Sequence, residues 1–219
     1  FLVGRIEGKP FRDVLFERIF NPLGMVDTDF WIPPEKHGRA AVVYKLKEAN
    51  NLEPVAFRAY QAPPVYAGGG GGLASTVDDY LKFARMLMNK GELDGVRLLK
   101  PETVDLMITN RLTDEQRAIP FMGIPFWAGQ GFGLGLSVIT DVEKQAWMGQ
   151  GTNGAFSWPG AFGTWWRADP EKNMIMIYMI QNSMELGPEA ASQLATGQRM
   201  AAAAALPAFQ NLAYGAIQR

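Results

Sequence analysis

The sequence predicts an α+β fold. Three observations carry this. Helical periodicity and helix caps dominate the first hundred residues; the pattern switches to strand alternation from Gly131 onward; and an Ala-rich stretch closes the chain. The 219 residues are expected to divide at about residue 130, with helices and loops before it and antiparallel strands with a closing helix over 131–219. The hydrophobic fraction is 47% and the charged fraction 20%, which fits a packed globular protein and excludes wholesale disorder.

Taken in order, Phe1–Phe20 reads as two helices separated by Gly8-Lys9-Pro10, with Pro10 near the first turn of the second. Phe1 opens directly into the helical pattern without a cap, so the chain is expected to start inside an element of a longer protein. Asn21-Pro22-Leu23-Gly24 should end the second helix, because Pro22 biases Asn21 away from helical geometry. From Thr28 to Pro64 prolines break up long elements, and Ala41–Tyr44 is a short strand candidate.

Gly68–Gly72 is a run of five glycines. Alone it reads as a linker, but Ser75 or Thr76 caps a helix over Val77–Leu87 directly after it, which favours a tight backbone passage. Asp78 and Asp79 suit that helix's first turn, and Gly91 is the expected left-handed residue at its end. Pro101 opens a helix to about Thr109. Arg111–Gln130 reads as loop, and its Phe121, Phe126 and Trp127 are either a binding surface or the loop's own small core.

Gly131–Ile139 alternates at Phe132, Leu134, Leu136 and Val138 and reads as one strand. Ala155–Trp158 and Gly163–Ala168 are two more. Met174–Ile180 is apolar throughout and fits a strand buried on both faces. Glu189–Ala205 is the expected closing helix.

Charge and residue inventory exclude several functions. Lys and Arg number 21 against 22 Asp and Glu, which argues against a dedicated nucleic-acid binder. No apolar run approaches the roughly 20 residues of a membrane span. Without Cys and with one His, thiol chemistry and the usual zinc sites are gone, and no cofactor or metal is expected. His37 reads as an exposed loop residue. None of Ser75, Ser137, Ser157, Ser183 and Ser192 lies in Gly-x-Ser-x-Gly or is followed by Lys at the third position. On its own residues the chain carries no complete catalytic apparatus.

The order of segments nonetheless resembles a family. Phe11–Thr28, the glycine run with Leu73–Phe83, Gly131–Leu136 and Phe156–Thr164 look like successive segments of the class C β-lactamase-related serine hydrolases, over Phe1 to about Asn182. Phe156-Ser-Trp-Pro-Gly-Ala-Phe-Gly-Thr164 is similar to the third motif of the esterase branch, the family VIII carboxylesterases, where Trp-Gly-Gly commonly replaces Lys-Thr-Gly. The resemblance implies a β-lactamase/penicillin-binding-protein-like fold with an antiparallel sheet flanked by helices. It implies a small-molecule ester as substrate, attacked by a Ser activated by Lys and Tyr. Those groups belong to motifs that precede the segment resembling Phe1–Phe20, so an N-terminal segment of the same protein would supply them. It assigns Ala161 as the backbone oxyanion donor, and Trp158, Pro159, Gly160, Gly70 and Gly71 as substrate contacts. Pro159 departs from the pattern, but alternation sets it on the same strand edge as Ala161, where no ladder bond is lost. Trp158, unless it is ordinary core, trades a cation for an apolar wall, which disfavours anionic lactams and favours neutral acyl groups. A β-lactamase, a peptidase, an acyltransferase and a non-catalytic penicillin-binding-like protein are the alternatives.

Overall fold

The computed structural model describes residues 1–48, 51–55, 60–121, 125–145, 149–183 and 197–217. It forms two compact units, Phe1–Val43 with Pro54–Pro101, and Tyr44–Glu53 with Glu102–Arg219.

The first unit opens with α1 (Leu2–Glu7), stopped by left-handed Gly8, and α2 (Phe11–Leu15), entered at Pro10. The chain continues through a π-helical turn, Phe16–Phe20, into α3 (Asn21–Leu23). The helix ends within the expected Asn21–Gly24, but Asn21 is not turned away from helical geometry: it has φ −63° and ψ −47°, and its N–H bonds to the Phe16 carbonyl. The widened turn accounts for this. Pro22 has no N–H to place in an α-ladder, and a π-turn displaces the carbonyls that would crowd its ring. The stop comes at Gly24 (φ 65°), where Gly24 N–H bonds Asn21 O at 3.1 Å and Met25 N–H bonds Phe20 O at 2.8 Å.

Arg12 clamps Asp29 with two hydrogen bonds, 2.7 Å and 2.6 Å, while its guanidinium lies 4.4 Å from the Phe16 ring centre. Asp29 exchanges both backbone bonds with Ala74, just beyond the glycine run. α4 (Val77–Met88) is capped by Thr76, whose Oγ1 accepts from Asp79 N–H. Asp79 is buried and accepts from Asp27 N–H, Thr28 Oγ1 and Lys82 Nζ, so the helix start is tied to residues 27–29. At its other end the expected Gly91 is at positive φ (92°), and Lys90 before it is left-handed too (φ 57°), which the sequence does not suggest. Gly91 is also needed because its Cα abuts the Leu99 backbone. β3 (Glu92–Leu93) and β4 (Val96–Arg97) pair across Asp94-Gly95, both at positive φ, a two-residue hairpin turn.

β1 (Val43–Glu48) pairs with β2 (Asn51–Val55), and Tyr44–Glu53 of this hairpin belongs to the second unit. β1 extends beyond the expected Ala41–Tyr44, and β2 has no alternating apolar pattern to announce it. α5 (Pro101–Met107) starts as expected. α6 (Asp114–Arg117) lies inside the supposed loop and carries a Thr113/Gln116 capping box that the sequence reading passed over. α7 (Val142–Gln145) is a single turn.

The main sheet has five antiparallel strands in sequence order: β5 (Gln130–Phe132), β6 (Ser137–Ile139), β7 (Phe156–Pro159), β8 (Trp165–Asp169) and β9 (Met174–Tyr178). The single strand expected over Gly131–Ile139 is a hairpin, β5–β6, turning at Gly133–Leu136 with Gly135 at φ 85°. The alternation in the sequence does not mark one face: Phe132 pairs with Ser137 and Gly131 with Val138, so Phe132 and Val138 lie on opposite faces of the sheet. Gly131 and Gly133 are glycines for steric reasons: a Cβ would strike the Asn110 side chain and the Met107 carbonyl, respectively. β9 has β8 as its strand partner among the described residues and is only half-buried except at Met176, not buried on both faces. Beyond it, Tyr44 bonds Gln181 and Ser183 backbone groups.

α8 (Gly197–Ile217) closes the chain; residues 189–196 of the expected helix lie outside the described residues. It runs past Ala205 with Pro207 inside it. Docking offsets the missing bond: Leu206, Phe209, Ala213 and Tyr214 pack with Trp165, Met174, Met176 and Tyr178. Beneath the helix, Arg167 and Asp169 are fully buried. Arg167 donates to the Gln150 carbonyl and to Gln210 Oε1; Asp169 accepts from Thr152 Oγ1 at 2.6 Å and Tyr214 OH at 2.5 Å. Burial and the bond to Asp169 push the Tyr214 phenol upward, so it stays neutral and donating.

Tyr214→Phe leaves a buried carboxylate short of one donor. It is expected to destabilise the fold by about 1–3 kcal/mol, read by urea denaturation. Because the folded-state pKa is raised, this contribution is present in full below the unfolded tyrosine value near 10 and declines only above it. An unchanged midpoint at neutral pH would mean that Thr152 and the Lys172 N–H satisfy Asp169 by themselves.

Candidate functional site

The β7–β8 hairpin presents the segment resembling the third motif. β8 pairs with β7 through Pro159↔Trp165, whereas the register with β6 covers Ser137↔Ser157 and Val138↔Phe156. Past Ser157, one edge of β7 therefore runs without a strand partner among the described residues. Pro159 sits on this stretch, where its missing N–H costs no ladder bond.

The hairpin closes through Gly160 N–H to Thr164 O (2.7 Å) and Gly163 N–H to Gly160 O (3.0 Å), with Gly163 at φ 85°. This is a three-residue loop, Ala161-Phe162-Gly163, with a left-handed glycine last. Strand alternation, used above to orient Ala161, stops at Pro159; Ala161 is the second residue of a turn. Among the described residues its N–H has no hydrogen-bond partner. Turn geometry frees this donor, since the turn's own bond uses the first and fourth residues. Gly160 is obligatory here, because a Cβ would run into Thr164 Oγ1.

Trp158 is half-buried within a group of aromatic rings. Its centroid lies 5.0 Å from Phe132, 5.9 Å from Phe126 and 6.5 Å from Phe121, and Trp127 lies 4.9 Å from Phe126 in an edge-to-face arrangement. The loop aromatics divide in burial: Phe126 is 5% exposed and Phe121 38%. Their association with Trp158 joins residues far apart in the chain, and the sequence offers only the clustering of rings as a signal.

Gly70 and Gly71 lie in the first unit, exposed, with open space where a Cβ would stand. The tight passage expected for the glycine run is not found there. Gly69 and Gly72 make only ordinary contacts with the Phe11 and Phe30 rings, and Gly72 alone requires glycine, at φ 97°. His37 is exposed on a 3₁₀ turn, Pro34–Arg39, its Nε2 2.7 Å from the Ile32 carbonyl. Ser75 Oγ is 2.7 Å from Thr28 Oγ1, and Ser137 Oγ is 3.1 Å from Ser157 Oγ. These hydroxyls meet other hydroxyls, not a base. Ser192 lies outside the described residues. Among the described residues no group of acidic, His or Cys side chains is placed to hold a metal, and no helix is long and apolar enough to cross a membrane.

The fold and the motif segments define a β-lactamase-type chain, and the family comparison agrees: residues 1–197 match the Beta-lactamase family model, and the chain belongs to that family. It is 46% identical over 219 residues to protein Rv1367c of Mycobacterium tuberculosis, covering 99% of this chain and 55% of that protein. It is 29% identical over 205 residues to the lovastatin esterase of Penicillium rubens, covering 82% and 47%. Among solved structures, the LovD6 mutant of simvastatin synthase (LovD) of Aspergillus terreus superposes with a TM-score of 0.75 at 22% identity, covering 99% of this chain and 52% of that one. EstCE1, described as a hydrolase with promiscuous acyltransferase activity, superposes at 0.68 and 22%, covering 87% and 51%. The chain thus spans about half the length of the relatives it matches. These relatives include esterase and acyltransferase enzymes, and the β-lactamase/penicillin-binding-protein-like α+β fold is shared.

Gly160→Ala should destabilise the hairpin by about 1–3 kcal/mol through overpacking. Thr164→Ala in the same chain should return part of that loss, since it removes the atom the new Cβ meets first. Strict additivity of the two changes in a denaturation cycle would show that Thr164 is not the obstacle.

Proposed function

We propose that the protein is a serine carboxylesterase that works through an acyl-enzyme, and that these residues contribute the oxyanion side of the site. The observation that carries the reading is the unpartnered Ala161 N–H on the turn after Trp158-Pro159-Gly160. A donor fixed by a closed hairpin needs no reorganisation as charge develops on a carbonyl oxygen. Trp158 beside it gives an apolar wall with no ammonium to recruit an anionic substrate. In this reading a serine from a segment preceding Phe1 attacks the ester carbonyl. Lys and Tyr from the same segment take the proton and return it to the leaving alcohol, and water then releases the acid. Gly70 and Gly71 are carried as substrate contacts on the resemblance of the glycine run.

Acyl transfer is the second reading. It uses the same acyl-enzyme with an alcohol in place of water, and it is favoured by the description of EstCE1 as a hydrolase with promiscuous acyltransferase activity. Adding an alcohol acceptor and measuring transester against free acid separates the two.

The test is Ala161→Pro in the intact protein that contains this chain. Proline suits the second position of such a turn, so folding and the thermal midpoint should be retained while the N–H is lost. The kcat for p-nitrophenyl acetate should fall about 10²–10³-fold with little change in KM. A folded variant with wild-type kcat removes Ala161 from the mechanism. The 219-residue chain made alone should not hydrolyse this ester; turnover that survives purification and responds to substitution of one of its own serines would end the proposal of an outside nucleophile.

A further inference from the structure

The aromatic group around Trp158 has a burial gradient that a loop core by itself does not require. Phe126 at its base is 5% exposed, Trp127, Phe132 and Trp158 are half-buried, and Phe121 at the outer end is 38% exposed. Phe121 nevertheless contacts three of the others, at 5.3 Å from Phe126, 6.0 Å from Trp127 and 6.5 Å from Trp158, at interplanar angles of 53–59°. The rings are thus tilted against one another, leaving an exposed ring supported from beneath by aromatic neighbours. Such a surface gains from covering by another planar apolar group, which can add to the same edge-to-face pattern. Among the described residues no Lys or Arg is stacked on any of these five rings; the three cation–ring contacts involve Phe1, Phe16 and Trp165. None of the five rings carries a formal charge, so the group presents an apolar surface to an occupant. Trp158 also stands three residues from Ala161 on the same hairpin.

From this we infer that the outer end of the aromatic group binds an uncharged planar ring of the ester, and that Phe121 sets the preference for it. The inference rests on the esterase reading given above for the reaction, but the ring site can be observed without turnover. The ring can belong to the acyl part or to the alcohol part, and the two are resolved by the choice of ester.

The experiment measures kcat/KM of the intact protein for methyl phenylacetate, phenyl acetate and methyl acetate, in the wild type, Phe121→Ala and Phe121→Leu. The expected result is an about tenfold fall, in Phe121→Ala, of the ratio of one ring ester to methyl acetate, with Phe121→Leu in between. Methyl phenylacetate responding places the ring in the acyl part; phenyl acetate responding places it in the alcohol part. Ratios that stay within about twofold for both ring esters overturn the inference. Saturation-transfer NMR with phenylacetamide is the arm that needs no catalysis. Transfer to its ring protons in the wild type that drops in Phe121→Ala supports the ring site, even if no ester is hydrolysed and the esterase reading fails. Absent transfer in the wild type, or equal transfer in the variant, refutes it.

Discussion

The register of β7 between unequal neighbours is the constraint on which the candidate site depends. β8 accompanies β7 to Pro159, but β6 is paired only from Ser157 back toward Phe156. The inequality has a local cause. Before Ser137 the chain must come round from β5, and it does so with Gly133 N–H on the Leu136 carbonyl and Leu134 N–H on the Met107 carbonyl. Those bonds commit the backbone to a turn exactly where a longer β6 would have covered the end of β7. The uncovered edge makes Pro159 tolerable and, among the described residues, leaves the turn at Ala161 without a neighbouring strand.

A free donor is useful only if the strand beneath it holds still. β8 supplies that support through buried polar residues. Burial of Arg167 disfavours its charge, while Tyr214 and Asp169 favour it, and its guanidinium lies 4.8 Å from the Trp165 ring centre. A buried ion of this kind contributes little net stability over an apolar core, but removing one partner is severe, so the arrangement has few alternatives. It fixes β8 to α8 through Gln210 and Tyr214, and to the segment before β7 through Gln150 and Thr152. The hairpin tip is therefore carried by a strand anchored on both sides, as a preorganised site requires.

How much of this the sequence discloses follows from the range of the interactions involved. The helix over Val77–Met88 and its Thr76 cap are local, and the residues name them. The α+β class is visible because the change in period is local too. The π-helical passage through Pro22 and the Lys90 cap are local but depend on how backbone bonds are shared, which residue preference does not encode. The β5–β6 turn escapes because apolar residues stay at every second position through it, although the register Gly131↔Val138 and Phe132↔Ser137 puts Phe132 and Val138 on opposite faces. The aromatic group around Trp158 and the termination of β6 are tertiary. They join residues from 121 to 158 that no single stretch contains.

The remaining ionisable groups bear on the division of labour in the proposed reaction. A general base needs a pKa near the working pH and a path to the reacting atoms. Burial pushes Tyr80 up to about 12, and Tyr214 is pushed up as well by burial and by its bond to Asp169. A phenol raised in this way holds its proton through neutral pH and stabilises structure as a donor or an apolar ring. Asp169 is spent on Tyr214, Thr152 and the Lys172 N–H, and Asp79 on the start of α4. By contrast, the features placed at the β7–β8 turn are a backbone N–H, a glycine and an indole, none of which titrates near neutrality. What this hairpin can offer a reaction is position and a fixed dipole. Proton transfer asks for side chains of another kind, and the proposal accordingly assigns it to Lys and Tyr outside these residues.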